Sequence, residues 1–184
     1  MATPRERLLD AADELFYKEG IQSVGIDRVI EQAGVAKASL YSVFGSKDEL
    51  VRAYLARRHE RRQARIAAML AQHHTPRAKL LGVYEVLSEL AANPSFRGCA
   101  FVNARAEARP GSPLETVCDE TRAWTHSLFA SLARDAGARD PGALAADLVL
   151  LYDGAMASAR MDGDPTAPAR ARTIAAQLLD AAVA

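Results

Sequence analysis

The stretch from Ile26 to Leu50, IDRVIEQAGVAKASLYSVFGSKDEL, constrains the fold more than any other part of the chain. Two short segments with apolar residues at helical spacing, 26–33 and 37–44, are separated only by the tripeptide 34–36. Three residues leave room for a tight turn between two helices and for nothing larger. The stretch therefore predicts a helix-turn-helix. On period alone, an ordinary helix hairpin inside an all-α core would look the same.

The second of these helices has a small, polar outer face. Leu40 and Phe44 lie four residues apart and so point the same way, toward a core. At about 100° per residue, the remaining positions face outward or lie on the flanks. They are Lys37, Ala38, Ser39, Tyr41 and Ser42. A helix that enters the major groove must bring its backbone close to the base edges, so this face suits DNA. We predict that these five residues contact DNA.

More than a quarter of the chain, from Arg5 to about Leu55, resembles the DNA-binding domain of the tetracycline-repressor (TetR) family, whose members are dimeric one-component transcription factors. The spacing of the family's motif residues is intact. The matching residues are Ala11, Ala12, Leu15, Phe16, Gly20, Val29, Ala33, Gly34, Val35, Lys37, Ser39, Leu40, Tyr41, Phe44 and the run 46–50.

The resemblance implies an all-α fold of about nine helices. Residues 1–47 would form a three-helix helix-turn-helix domain that binds DNA, and residues 48–184 would form a helical domain for effector binding and dimerisation. The function implied is a repressor that binds palindromic operator DNA as a homodimer and is released by a small-molecule effector. Arg28 would add a DNA contact, and Lys47 would lie near a phosphate at a helix start, where the helix dipole favours an anion.

Three positions depart from the family pattern. Gly25 stands where a Ser or Thr often caps the first helix of the motif, Ala36 replaces a frequent Ser, and Val43 replaces a frequent Tyr or His. These polar groups commonly reach the DNA backbone in the family. A helical interaction module with weakened or lost DNA binding is therefore the alternative function.

Charge is unevenly distributed although the whole chain is neutral, with 23 basic and 23 acidic residues. Between Arg28 and Arg65, nine Lys or Arg stand against four Asp or Glu, whereas the remainder of the chain from residue 66 has eleven against thirteen. Such a local basic excess is what a DNA-binding surface requires. For most of the Arg-rich run 57–65 itself we expect a solvated helix face.

Other classes of protein find little support in the sequence. The N-terminus MATPRERLLD lacks the apolar segment of a secretory signal, and no apolar run of membrane-spanning length is evident, so we expect a cytoplasmic protein without a membrane partner. Glycine-rich phosphate loops, paired-cysteine zinc patterns, HExxH and a nucleophile elbow are all missing. We expect no enzyme activity and no cofactor.

Adjacent histidines at 73 and 74 raise the question of a metal site. Neighbouring side chains of a helix point about 100° apart, and no third ligand is close in sequence. We expect a helix terminus there and no metal. Cys99 and Cys118 lack metal-type spacing, which favours packing roles, with redox sensing as the alternative.

An effector site in the helical body is predicted from aromatic and flexible apolar residues on helices that should converge, together with two polar groups. Those residues are Tyr84, Phe101, Trp124, Phe129, Tyr152 and Met156, with Asn103 and Glu107 as polar anchors. A mostly apolar cleft with few polar groups is typical of ligand sites. Core packing would explain each apolar residue singly, and a structural hydrogen-bond network would explain the polar pair.

The last two predicted helices form a hairpin rich in small residues, which lets helices approach closely. We predict that it pairs with its symmetry mate in a four-helix bundle. The expected interface residues are Leu148, Tyr152, Ala155, Ile174 and Leu178. Packing within one chain is the alternative, and a dimer is favoured because reading a palindrome requires two DNA-binding heads.

Overall fold

The computed structural model of the protein describes residues 2–183 and contains helices and connecting turns, with no strand in that range. Nine helices follow one another within it. They are α1 (Pro4–Glu19), α2 (Ile26–Ala33), α3 (Lys37–Phe44), α4 (Lys47–Gln72), α5 (Pro76–Ala91), α6 (Ala100–Glu107), α7 (Pro113–Asp135), α8 (Pro141–Met161) and α9 (Ala167–Val183). The predicted all-α fold of nine helices is confirmed.

Side chains cap the starts of several helices. Thr3 and Glu6 form a complete capping box around α1, whose first residue is Pro4. Thr75 accepts the amide of Ala78 at the start of α5. Such side chains satisfy backbone amides that have no partner inside the helix. In the same way Asp140 caps α8, and Ser46 and Ser112 accept the amides at the third positions of α4 and α7.

The helices divide into two compact units. Unit 1 comprises residues 2–60 and Ala100–Glu120, and unit 2 comprises Arg61–Cys99 and residues 121–183. These units are defined by contacts within the chain. The boundary between residues 47 and 48 is predicted from function, and it stays a prediction.

Unit 1 is built on α1, which buries its apolar stripe against α2 and α3. Leu8, Ala12 and Leu15 are buried, and the ring of Phe16 meets that of Tyr54 edge to face with centroids 5.6 Å apart. The α1 stripe thus supplies a rigid platform for the two short helices of the motif.

Unit 2 has its own core, formed by α5, α8 and α9 together with residues of α4 and α7. Three aromatic rings lie at its centre, with centroid distances of 5.9 Å from Tyr84 to Phe129, 5.8 Å from Phe129 to Tyr152 and 6.3 Å from Tyr84 to Tyr152. The Tyr84 hydroxyl donates to the carbonyl of Leu148 at 2.8 Å, so its polar end is satisfied inside the core.

Helix α8 corrects one expectation, because by length and composition alone it could span a membrane. Its buried residues, among them Leu144, Leu148 and Tyr152, belong to the core of unit 2. Asp147 and Asp153 interrupt the apolar sequence. A core helix shows this same pattern, since it too is apolar on most of its surface.

Candidate nucleic-acid interface

The turn between α2 and α3 is fixed by backbone geometry and by one arginine. Gly34 adopts the left-handed conformation (φ 58°, ψ 44°) that ends α2, and the Val35 amide donates to the Ile30 carbonyl at 3.3 Å. Arg7 of α1 donates from Nη2 to the Gly34 carbonyl at 2.7 Å. The positive φ favours glycine here, and a Cβ on Gly34, which would stand 2.6 Å from that Arg7 nitrogen, would displace the guanidinium.

Helix α3 is held by Leu40 and presents its other faces to solvent. Leu40 is fully buried, whereas the Tyr41 side chain is 48% exposed. Lys37, Ala38 and Ser42 are exposed too, and Ser39 is half-buried. The predicted outward orientation of this face is confirmed, and its contact with DNA stays a prediction.

The two helices of the motif begin without a side-chain cap, as the sequence indicates. Gly25 and Ala36 occupy the N-cap positions of α2 and α3, and neither has a side chain that could accept a backbone amide. Val43 is 39% exposed. Any contact with the DNA backbone at these three positions must therefore come from main-chain amides or from neighbouring side chains.

Two of the cations predicted to meet DNA are paired with acids of the same unit. Lys37 Nζ lies 2.8 Å from Asp27 Oδ1, and this hydrogen bond raises the pKa of Lys37. Arg28 binds Glu19 through two hydrogen bonds, one of them 2.8 Å long. Exposed pairs of this kind contribute little to stability, so a phosphate can replace the acid at small cost.

Lys47, the third predicted cation, is engaged in a different way. Its Nζ donates to the Ile21 carbonyl at 2.7 Å and lies 5.9 Å from the centroid of the Phe16 ring. Partial burial lowers the pKa of Lys47, while the charge of Glu107 opposes that shift. In this structure Lys47 fixes the turn between α1 and α2, and its predicted phosphate contact stays a prediction.

The Arg-rich run of α4 is more engaged than expected. Arg57 pairs with Asp10 at 2.8 Å, and Arg58 pairs with Asp13 at 2.5 Å. The Arg58 guanidinium also stacks on Tyr17, 3.8 Å from the ring centroid. These contacts fasten the middle of α4 to α1.

Arg62 departs from the expectation as well, because in unit 2 its guanidinium lies 5.6 Å from the Trp124 ring centroid and 5.3 Å from that of Tyr152. Arg61 and Arg65 are exposed, as expected. The prediction of a mostly solvated run is thus wrong for three of its five arginines. The physical reason is that long side chains on one helix can reach acids and rings of another, which a helical period does not reveal.

The predicted effector residues fall into the two units. Tyr84, Phe129, Tyr152 and Met156 lie together in the core of unit 2, with Trp124 partly buried against them. Burial raises the pKa values of both Tyr84 and Tyr152. This arrangement accords with core packing, and a ligand role for these residues stays a prediction.

Unit 1 contains the other three predicted effector residues. Phe101 is buried, Asn103 is exposed, and the Glu107 carboxylate binds the backbone amides of Ile21 and Gln22. For Glu107, the structural hydrogen-bond network that the sequence left open as an alternative is therefore present.

The predicted dimer residues differ in how accessible they are. Leu148, Tyr152 and Ala155 are buried in the core of their own chain. Ile174 is 46% exposed, and Leu178 is half-buried beside it. Only the latter two lie at the surface, and their contact with a second protomer stays a prediction.

The adjacent histidines lie between helices, as predicted, because α4 ends at Gln72 and α5 begins at Pro76. His73 Nε2 lies 3.2 Å from Glu85 Oε2. Among residues 2–183 no three His, Cys, Asp or Glu side chains are arranged to hold a metal ion.

Two family models match the chain over most of its length. The model described as "Bacterial regulatory proteins, tetR family" matches residues 8–54, which include the whole helix-turn-helix. The model "Tetracyclin repressor-like, C-terminal domain" matches residues 76–175.

Individual proteins agree with these matches. The HTH-type transcriptional regulator YjdC of Escherichia coli is 28% identical over 160 residues, covering 83% of this chain and 81% of YjdC. A crystal structure of SCO4454, a TetR-family transcriptional regulator from Streptomyces coelicolor, is 33% identical, with a TM-score of 0.93 and coverage of 98% of this chain and 96% of that one. A putative regulator from Streptomyces avermitilis is 37% identical, with a TM-score of 0.85 and coverage of 98% of each chain. The chain thus belongs to the TetR family of bacterial transcriptional regulators, and its helix-turn-helix is a DNA-binding one.

Proposed function

We propose that the protein is a cytoplasmic transcriptional repressor that binds palindromic operator DNA as a homodimer and releases it when a small molecule binds in the helical body. The observation that carries the proposal is the exposed face of α3, in which Tyr41 and Lys37 project from a helix held by the buried Leu40. A short helix with one buried anchor and a small, polar outer face can approach the base edges of the major groove closely.

Dimerisation is supported by an apolar surface along α8 and α9. Leu150 is 73% exposed and Ile174 is 46% exposed. Between the two helices runs an open groove lined by residues that include Gly154 and Leu178. Large exposed apolar residues on a soluble protein often mark an interaction surface, and small residues let a second pair of helices approach. A second copy of this hairpin is the proposed occupant, since operator half-sites need two heads.

An effector role rests on the aromatic residues of unit 2. Trp124 is only partly buried at the edge of the core, and Arg62 brings a positive charge close to its ring. Aromatic walls with a few polar groups provide both affinity and orientation for a small molecule. By thermodynamic reciprocity, an effector that weakens operator binding is itself bound more weakly by the operator complex.

A salt titration of the wild-type protein on DNA tests the DNA-binding part. The probe is a duplex selected by the protein itself from a random library, and the alternative is a helical interaction module with little affinity for DNA. Operator binding should weaken steeply as salt rises, because each neutralised phosphate releases counterions. A plot of the logarithm of the association constant against the logarithm of the salt concentration should have a slope of about −0.9 for each phosphate contacted. A flat response, or no selected sequence, would favour the interaction module.

The effector part is tested separately with the single tryptophan. A metabolite library is screened for compounds that release the selected duplex in a mobility-shift assay, and each hit is titrated against Trp124 emission. A true effector should release the DNA and, when it binds near Trp124, change the emission. Hits that release DNA from Trp124→Phe as well as from the wild type show that tryptophan is only the reporter.

A further inference from the structure

The turn that leads from α1 into the helix-turn-helix is held by a side chain far away in sequence. Glu107, the last residue of α6, accepts the amide of Gln22 at 2.6 Å and that of Ile21 at 3.2 Å, one with each carboxylate oxygen. Gly20 precedes the turn with φ 93°. A Cβ at Gly20 would lie 3.3 Å from Glu107 Oε1, so the glycine also makes room for the carboxylate.

The opposite side of the same turn is held by Lys47. Its Nζ donates to the Ile21 carbonyl at 2.7 Å, while the Ile21 amide points at Glu107. The turn is therefore fixed through both the donor and the acceptor of one residue. Charged groups make hydrogen bonds roughly twice as strong as neutral ones, so this is a firm attachment.

What the turn controls is the position of the DNA-binding helices. Only three residues separate Gln22 from α2 at Ile26, and among them Val24 is fully buried. A shift of the turn is therefore passed on to α2, and through Gly34 to α3. We infer that Glu107 is a positioning residue for DNA binding: by clamping the Ile21 and Gln22 amides it sets the place of α3. This rests on the proposed use of α3 as the DNA-reading helix.

The two hydrogen bonds accepted by Glu107 and simple electrostatics predict opposite changes in DNA affinity when Glu107 is replaced by glutamine. Glu107→Gln removes a negative charge from a unit that binds a polyanion, which by charge alone should tighten binding. In the clamp, however, glutamine keeps one acceptor oxygen and turns an NH2 group toward the second amide, which then loses its acceptor. The clamp therefore predicts weaker binding.

Glu115→Gln is the matched control. Glu115 is also a unit 1 carboxylate that accepts a backbone amide, that of Gly111, and it pairs with Arg105 at 2.6 Å. It has the same charge and a comparable local bond, and its carboxylate binds Gly111 and Arg105 rather than the amides of the turn. The probe for both variants is the duplex selected by the wild-type protein, and binding is followed by fluorescence anisotropy well below the melting temperature.

Three readings decide the inference. For Glu107→Gln the Kd should rise roughly tenfold, the size expected when one charge-assisted hydrogen bond is lost. The slope of log Kd against log salt should stay at the wild-type value, because no phosphate contact is removed. Amide exchange at Ile21 and Gln22 by NMR should become faster than in Glu115→Gln.

A variant that is merely less stable lowers the fraction of active protein in a stoichiometric titration and leaves the Kd of the folded fraction unchanged. That result, or a Kd equal to or below the wild-type value, would overturn the inference. A wild-type protein that selects no duplex would instead overturn the proposed function, and the two failures are thus distinguishable.

Discussion

Two tyrosines show how differently the two regions of this molecule use the same side chain. Tyr84 lies at the centre of unit 2 with none of its surface exposed, its ring against Phe129 and Tyr152 and its hydroxyl bound to a backbone carbonyl. Tyr41 lies on α3 with 48% of its surface exposed. The first is surrounded by its own chain, whereas the second faces outward.

The core of unit 2 therefore contributes to stability, whereas the exposed face of α3 is available for recognition. In the core of unit 2, apolar contacts and one satisfied hydroxyl fix the side chains, so a change there costs folding free energy. On the face of α3, the polar contacts are exposed ion pairs such as that of Lys37 with Asp27, which contribute little to stability. Substitutions on this face should alter DNA binding while the fold is kept.

The largest expected effect on stability is that of Tyr84→Ala. Removing a buried aromatic ring leaves a cavity and should lower the free energy of unfolding by about 3–5 kcal/mol. Urea denaturation followed by circular dichroism measures the loss. Tyr41→Ala is the control and should change the same quantity by less than about 0.5 kcal/mol. If both variants lost the same free energy of unfolding, the proposed division between core and recognition face would be wrong.

Leu178→Glu should have the next largest effect, on assembly. A charge without a partner in an apolar contact makes association less favourable by about 2 kcal/mol or more. That is enough to dissociate a dimer of micromolar affinity. Sedimentation velocity should show a lower mass, and operator binding should weaken with it. Gln177→Glu adds the same charge at the neighbouring exposed position and should leave the mass unchanged.

Because Leu178 also touches its own core, Ile174→Glu provides a second test at a more exposed position. It should dissociate the dimer without loss of helical circular dichroism. If both variants sedimented like the wild type, the interface would lie elsewhere.

Asp27→Asn sharpens the comparison with a gain of function. The substitution removes an acid beside the helix proposed to read DNA and frees Lys37 from its ion pair, so operator affinity should rise about two- to fivefold, the range of an exposed pair. The control is Asp180→Asn, which breaks the similarly exposed pair with Arg77 in unit 2 and should leave affinity unchanged. Weaker binding of Asp27→Asn would mean that the acid holds Lys37 in its functional position.

Local features could be predicted from the sequence because each depends on a few neighbouring residues. The helix-turn-helix followed from apolar spacing and from Gly34, whose left-handed conformation is what a tight turn requires. Capping at Thr3 and Asp140 followed from residue type, since their side chains accept amides two or three positions onward.

Contacts between distant residues could not be predicted in this way. Arg7 reaches Gly34 across 27 positions, and Glu107 reaches Ile21 across 86. Neither pair leaves a local pattern, because the partners are brought together only by packing. For the same reason the sequence placed Leu148 on a dimer face although it is buried in its own core: a helical period identifies an apolar face and not what covers it.

The most direct test of the central claim compares Tyr41→Ala and Lys37→Glu with Val102→Ala, an exposed apolar residue on α6 in the same unit. All three are titrated against the duplex selected by the wild type, after circular dichroism has confirmed an unchanged fold. A lost base contact costs about 1–3 kcal/mol and a dimer loses it twice, so the two α3 variants should bind at least about 30-fold more weakly, while Val102→Ala binds like the wild type. Wild-type affinity in both α3 variants would show that this helix does not read the DNA.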